Sequence, residues 1–488
     1  MSEVPLIPLV IDNKPFDDPD AQVALNHSAF HGGSPYTRYV SATPASTKAA
    51  VESSLLAFKT WPQTLPSQRR QILQRAASLI RENAVKLIQV QVEETNCTEF
   101  WAQRNVAWSA THIEEMAGRI TSVLSGELPV LETPGQTGFV YKAPIGPVLS
   151  IPPWNAALFL ACRTIDTPLA VGCTVLLKAS EQCPRTHHML AGLFHKAGVP
   201  EGVLNVIQAR REDAAAVTEA AISHPGIRKV EFIGSASVGR VIGSLASKYL
   251  KPILMELGGK SPGIVLEDAD LELAARSLVE GAFRHHGQIC FSTETIIVRR
   301  EVADAFVECA KKVASQWKTE PAISAAGPRR ALGLVQDALS KGAKILLGEP
   351  KLLNDYSLTP IILSSVTPEM EIADEESFGP IAILKIVASD EEAVSIANST
   401  SYGLGAGVFS KDVGRAFRIA RQIEAGQTHI NWPYGTGADE ATLGVGLAKS
   451  SGFGRQNANH GLEEFLIVKT ITITDPVAHF KTLSAMQG

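Results

Sequence analysis

The strongest constraint on how this chain folds is an alternation running through its middle, in which short, largely apolar runs are separated by stretches of helix length. Residues 174–178 (Thr-Val-Leu-Leu-Lys) read as a strand, 184–197 as a helix and 203–207 (Val-Leu-Asn-Val-Ile) as a strand. Residues 212–223 read as the next helix and 229–233 (Lys-Val-Glu-Phe-Ile) as a further strand. Runs that are apolar at consecutive positions, rather than at every second one, are covered on both faces. In a parallel sheet that cover comes from the crossover helices. The pattern therefore specifies an α/β fold with a doubly wound sheet. A second α/β stretch spans about residues 259–431. Upstream, residues 46–120 read as helical, since apolar residues between Ser67 and Arg81 recur at helical spacing with charges between them. From residue 126 the pattern turns strand-like at 139–142 and 148–153, bounded by Pro134-Gly135 and Pro144-Ile-Gly146 turn signals. Residues 466–474 (Leu-Ile-Val-Lys-Thr-Ile-Thr-Ile-Thr) form a β-branched strand.

A chain of 488 residues exceeds what one hydrophobic core serves, so more than one domain is expected. The net charge of -5, with no basic stripe, argues against nucleic acid or an anionic membrane surface as partner. No apolar run reaches membrane-spanning length, and residues 1–16 show no basic stretch before a long apolar one, so a cytoplasmic location is expected. The six cysteines (Cys97, Cys162, Cys173, Cys183, Cys290 and Cys309) form no CxxC pair, which disfavours a zinc or disulfide framework. Most should be buried small hydrophobes. The adjacent pairs His187-His188 and His285-His286 do not suit a metal, because neighbours on a helix point apart. A solvated or supporting role is expected for them, and no metal site is expected.

Three segments carry chemistry. Phe232-Ile-Gly-Ser-Ala-Ser-Val-Gly239 runs from a strand end through a glycine-spaced turn into a helix, whose free N–H groups suit a pyrophosphate. Its spacing is not G-x-G-x-x-G, and alone it reads equally as a glycine-bounded turn. In Met255-Glu-Leu-Gly-Gly-Lys-Ser-Pro262, Glu256 lies among apolar neighbours. A carboxylate so placed resists ionisation and suits a general base near neutral pH, although a capping or surface role is the commoner fate of a glutamate. In Gly287-Gln-Ile-Cys290-Phe-Ser-Thr the cysteine follows a Gly-Gln turn, which fits either an activated thiolate or an inert core cysteine.

Taken with Pro153-Trp154-Asn155, Leu177-Lys178-Ala-Ser180-Glu181, Glu375-Glu376-Ser-Phe378-Gly379-Pro380 and Asn398-Ser-Thr-Ser-Tyr-Gly403, these segments resemble, in order and spacing, the aldehyde dehydrogenase superfamily from about residue 45 to 474. The resemblance implies that Cys290 attacks the aldehyde carbon. The side-chain amide of Asn155 and the backbone N–H of Cys290 would meet the oxyanion, and Glu256 would activate the water that hydrolyses the thioester. It further implies that Pro153, Trp154, Lys178, Ser180, Glu181, Gly234, Ser235, Gly239, Leu257, Glu376 and Phe378 hold a nicotinamide dinucleotide. Lys178 and Glu181 would sit at the adenosine ribose, and Gly234, Ser235 and Gly239 at the pyrophosphate. Glu376 and Phe378 would sit at the nicotinamide ribose. A carboxylate at the 2′-hydroxyl favours NAD, with NADP also admissible because Lys178 stands beside it. The implied architecture has two doubly wound, Rossmann-like domains and a small β bridging element. Residues 1–125 and 146–257 would bind NAD, 258–458 would form the catalytic domain, and 126–145 with 459–488 would bridge. Strands within 126–144 would pair with 466–474, and such an exposed edge favours a homodimer or homotetramer.

Within the family, Gln288 to Glu294, Ala438-Asp439-Glu440-Ala441 and Arg163 most resemble the benzaldehyde, salicylaldehyde and vanillin dehydrogenase branch, which implies an aromatic aldehyde. Trp108, Phe291 and Arg163 are the candidate substrate contacts. Phe159, Trp432 and Tyr434 are further rings near the pocket, with core packing expected for Phe159 and Trp432. Three places depart from the family pattern, namely Thr295 in place of an arginine, Gly444-Val-Gly-Leu447, and a short region at 316–328. Two alternatives stay open at this stage, a catalytically weak member with a binding or structural role and a semialdehyde dehydrogenase that acylates coenzyme A.

Overall fold

The computed structural model describes residues 4–432 and 441–475. Five parallel strands form the centre of an eight-stranded sheet, in the spatial order Ile253–Leu257, Lys229–Gly234, Val148–Ile151, Val175–Ala179, Leu204–Gln208. The chain starts at Val148–Ile151, winds outward through two crossovers, then returns to the other side of its first strand. The direction of winding reverses between Val148–Ile151 and Lys229–Gly234. In an open α/β sheet that reversal leaves a crevice beyond the strands' carboxyl ends, and ligands bind there.

Both faces of this sheet are covered. On one, helices Pro66–Glu82, Glu99–Val123, Ala157–Val171 and Pro184–Ala197 bury Leu73, Ile113, Met116, Ile165 and Phe194. On the other, Val51, Val217, Ile222 and Ile242 pack against Ile207, Val230 and Leu257. The helix Ala157–Val171 has no exposed residue, which is why its sequence is apolar nearly all round and lacks a polar stripe.

The second sheet has seven strands in the order Lys344–Leu347, Ile361–Ser364, Ile381–Val387, Thr295–Arg299, Pro262–Val265, Gly405–Phe409, Gln427–Ile430, all parallel except the first. A two-stranded ribbon stands apart, with Gln136–Pro144 paired antiparallel to Leu466–Thr474 over nine residues. Val468, Ile471 and Ile473 on this ribbon are exposed. Residues 126–135 add only a single bridge, Glu127 to Val140. The strand periodicity therefore begins later than residue 126.

Several features differ from the expectations above. The first forty-one residues, in which no element was assigned from the sequence, contribute five strands. Leu9–Ile11 and Lys14–Phe16 extend the first sheet, and Leu6–Ile7, Ser34–Ser41 and Gln22–Ser28 form a three-stranded sheet. His187, His285 and His286 are buried, so of the two roles expected for them the solvated one is excluded and the supporting one stands. Burial pushes their imidazoles down to about 4, about 3 and about 4, so they stay neutral at physiological pH. Phe159 is buried as expected, but Trp432 is 46% exposed and not in the core. Tyr434 and Ala438 to Glu440 lie outside the described residues. All six cysteines are free, and four of them, Cys97, Cys162, Cys173 and Cys183, are buried. No helix among the described residues is long and apolar enough to cross a membrane.

Candidate active site

The sheet reversal sets the position of the site. The segment after Val148–Ile151 carries Pro153, Trp154 and Asn155, while the segment after Lys229–Gly234 begins with Ser235. Glu256 lies beside Ile233 on the next strand. These residues line a cavity of about 570 Å³. Its opposite wall comes from loops ahead of two strands of the second sheet, which bring Cys290, Glu376 and Phe378.

At the centre, the Cys290 thiol donates to Glu256 Oε1 at 3.0 Å. Burial and the facing Glu256 push this thiol well above its ordinary value, so in this state it is protonated. The Asn155 amide Nδ2 donates to the carbonyl of Gln288 at 3.0 Å, two residues before the cysteine. Trp101 Nε1 in turn donates to the Asn155 carbonyl at 2.8 Å, and its ring stacks on His285 at 5.1 Å. The surroundings of Glu256 require a correction. They are not apolar alone, because Arg163 donates to Oε2 and forms a buried ion pair with it.

The loop holding Cys290 has an unusual backbone. His285, His286 and Gly287 have φ of 51°, 58° and 72°, three left-handed residues in succession. A non-glycine residue pays for that conformation, and the tertiary contacts here offset the cost. His286 Nε2 accepts the N–H of Leu358 at 3.0 Å, and Glu320 accepts the N–H of His285. Gln288 is held by the carbonyl of His285 and the N–H of Ile323. The short 316–328 region thus packs on the cysteine loop through Glu320 and Ile323. At Gly287 a Cβ would overlap the backbone carbonyl of Gly379. Gly287→Ala should therefore lower stability by more than about 1 kcal/mol through the left-handed backbone alone, and displace Cys290. Calorimetric Tm and kcat together check this, and an unchanged pair contradicts it.

Glu376 is half-buried and accepts the N–H of Gly259 at 2.9 Å, and its partial removal from water raises its carboxyl to about 8 with Glu294 adding to the effect. Phe378 meets the Trp154 ring edge-on at 5.8 Å. Three residues to which the sequence analysis gave no role, Lys260, Glu294 and Ser377, hold this wall. The Glu294 carboxylate accepts Lys260 Nζ at 2.6 Å, Ser377 Oγ at 2.8 Å and the N–H groups of Ser377 and Phe378. An acidic residue four positions after Cys290, just ahead of the apolar strand Thr295–Arg299, was the available signal.

Other candidates lie outside the cavity lining. Lys178 is buried at the end of Val175–Ala179, its ammonium held below the usual lysine value by burial. Ser180 accepts the N–H of Gln182, and the Glu181 carbonyl is bound by Asn26. Gly239 packs on Leu257, where a Cβ would collide, so its role in the structure is the close approach of helix Ala236–Lys248. Trp108 lies 5.7 Å from Phe159 under the guanidinium of Arg104, and Phe291 packs on the same cluster. Thr295 opens a buried strand, and Val445–Gly446 pairs with Arg455–Gln456.

The surroundings fit a nicotinamide dinucleotide. The cavity lies at the reversal point and meets the N-terminus of the thirteen-residue helix capped by Ser235, and it extends from there to Cys290. A dinucleotide crevice ending at a thiol, a carboxylate and an amide defines an oxidoreductase of the cysteine-dependent dehydrogenase class. The chain belongs to the aldehyde dehydrogenase family, whose model matches residues 22–471. It is 39% identical to a vanillin dehydrogenase of a Pseudomonas species, over 97% of this chain and 99% of that one. The fold superposes on the crystal structure of a salicylaldehyde dehydrogenase from Pseudomonas putida G7 complexed with salicylaldehyde, with a TM-score of 0.93 and 35% identity over 97% and 99% of the two chains. A betaine aldehyde dehydrogenase of Staphylococcus aureus in complex with NAD+ matches with a TM-score of 0.91 and 26% identity, over 96% and 97%.

Proposed function

We propose that this aldehyde dehydrogenase oxidises an aromatic aldehyde to its carboxylic acid in the cytoplasm, with NAD as the preferred acceptor. The observation that carries the mechanism is the 3.0 Å contact between Cys290 Sγ and Glu256 Oε1. A protonated thiol is a poor nucleophile, and Glu256 is positioned to take its proton as sulfur attacks the aldehyde carbon. The oxyanion of the resulting thiohemiacetal would be stabilised by the Asn155 amide, a donor already oriented by the Gln288 carbonyl and held in place by Trp101. When bound, the dinucleotide supplies the hydride acceptor. Pro153, Trp154, Gly234, Ser235, Glu376 and Phe378 would hold it, while Lys178, Ser180 and Glu181 would meet its adenosine half. Once that first proton has passed to solvent, Glu256 serves a second time, taking a proton from the water that attacks the thioester; the carbon–sulfur bond breaks, the acid leaves and the proton returns to Cys290 Sγ.

For the substrate, the reading rests on the ring cluster of Trp101, Trp108, Phe159 and Phe291 packed beside Ile289, next to the cysteine. The names of the vanillin and salicylaldehyde relatives support it. Measuring kcat/KM across benzaldehyde, salicylaldehyde, vanillin and linear aldehydes at saturating NAD tests it. Aromatic substrates are expected to lead by at least about tenfold, since apolar contacts of this size discriminate by one to two orders of magnitude. A linear aldehyde leading the series would overturn the reading. The exposed apolar ribbon of Gln136–Pro144 and Leu466–Thr474 suits pairing with another copy into a dimer or a dimer of dimers. Light scattering that returns the monomer mass would refute that.

A further inference from the structure

Behind the reacting groups lies a set of buried charges that the chemistry above does not use. Arg163 sits midway along the buried helix Ala157–Val171 and donates to Glu256 Oε2, while Oε1 of the same carboxylate accepts from Cys290. Glu256 is thus gripped at both oxygens, by a cation behind and a thiol in front. Burying a guanidinium is costly unless matching charge meets it, so its neighbours determine what it does.

Other ionisable groups near Arg163 have partners or stay neutral. Asp166, on the same helix, is bound to His112 at 2.8 Å, and both are buried. Lys229, on the adjacent strand, donates to the carbonyl and the carboxylate of Glu464. Glu231, two residues further along that strand, is buried with Oε2 free of any hydrogen bond. Burial pushes its carboxyl up to about 8 against the pull of Arg163 and Lys229, so near neutral pH Glu231 keeps its proton. Glu376 lies across the cavity on Gly259. The carboxylate to which the guanidinium donates is that of the reacting residue.

We propose that Arg163 is a positioning residue for the general base, holding one oxygen of Glu256 so that the other stays aimed at Cys290 and at the water that cleaves the thioester. The proposal rests on the reading of Glu256 as the base. A glutamate side chain has rotamers that would carry its carboxylate into the open cavity, and each would break the bond to Arg163. The grip is thus preorganisation, already present before substrate arrives. The same residue also lies 5.7 Å from the Phe159 ring, where a contact with the aldehyde would be the rival role.

A double-mutant cycle separates the two roles, using kcat and KM for benzaldehyde in the full-length enzyme, Arg163→Met, Glu256→Gln and the double variant. Arg163→Met is expected to lower kcat by about 10²-fold, the lower range for loss of general-base catalysis, with KM changing by less than about threefold. In the Glu256→Gln background the same change should lower kcat by less than about threefold, because the group it acts through is already gone. Arg163→Lys, which keeps a cation, should recover about tenfold of the loss. A rise in KM with kcat preserved would overturn the proposal in favour of substrate contact. An equal fall in both backgrounds, or no fall at all, would overturn it too. Full turnover in Glu256→Gln alone would instead refute the reading of the base, which is a distinct result. If Arg163→Met does not fold, Arg163→Lys in the two backgrounds reads the same coupling, and an equal loss in both again overturns the proposal.

Discussion

Cys290→Ala should bind NAD as the parent enzyme does and show no aldehyde-dependent NADH formation. The expected loss is on the order of 10⁴-fold or more, the scale of removing a covalent nucleophile. The size follows from placement. Cys97, Cys162, Cys173 and Cys183 are buried, and burial raises each thiol far from reactivity. Cys309 lies on the helix Ala303–Gln316 and lines a different, surface groove. Cys290 is the cysteine that lines the main cavity, within bonding distance of an acceptor. No second thiol can replace it. Alanine leaves the lining formed by Trp154, Ser235 and Phe378 intact, so titration calorimetry should return a Kd for NAD within error of the parent. Aldehyde oxidation persisting in this variant would remove the covalent mechanism.

Glu256→Gln should separate the two halves of the reaction. If Glu256 activates the hydrolytic water, steady-state turnover falls by about 10²–10⁴-fold, the usual contribution of a general base. Acyl-enzyme then accumulates, visible by mass spectrometry as an adduct on Cys290. Glutamine is the informative substitution because its carbonyl still accepts a bond from Arg163. An apolar residue would strand that guanidinium and cost about 3–5 kcal/mol of stability, which would confuse activity with folding. A semialdehyde dehydrogenase that passes its acyl group to coenzyme A would give the opposite result, with turnover dependent on coenzyme A and nearly indifferent to this change.

The alternation between residues 174 and 233 was enough to specify a doubly wound parallel sheet, because runs apolar at consecutive positions need cover on both faces. The helices and strands fall within a residue or two of that reading. Cys290, Glu256, Asn155, Pro153, Trp154, Gly234, Ser235, Glu376 and Phe378 were also legible, and the structure brings all nine to one cavity. No single segment identified them; they could be read because several short motifs in one order and spacing resemble the family, and the resemblance implies their roles. The first forty-one residues were not legible. Their strands are short and attach to the edges of sheets whose other members lie up to two hundred residues away, as Val10 does to Val206. Trp432 could not be placed either, since whether a large ring is covered depends on what folds over it.

What the amino-acid sequence determined by itself was therefore the fold class, which is expressed in local pattern, while the reacting groups it proposes come from the resemblance of several ordered motifs to one family. What only the tertiary structure decided was the charge environment of the base and the strained backbone of the cysteine loop. Arg163 and Glu256 are 93 residues apart and meet through packing of a buried helix on a strand. His285 and His286 adopt left-handed angles because contacts from Glu320, Leu358 and Trp101 outweigh the local preference. Local propensities are short-ranged, whereas pairing a buried charge and offsetting strain depend on partners that only the folded chain brings together.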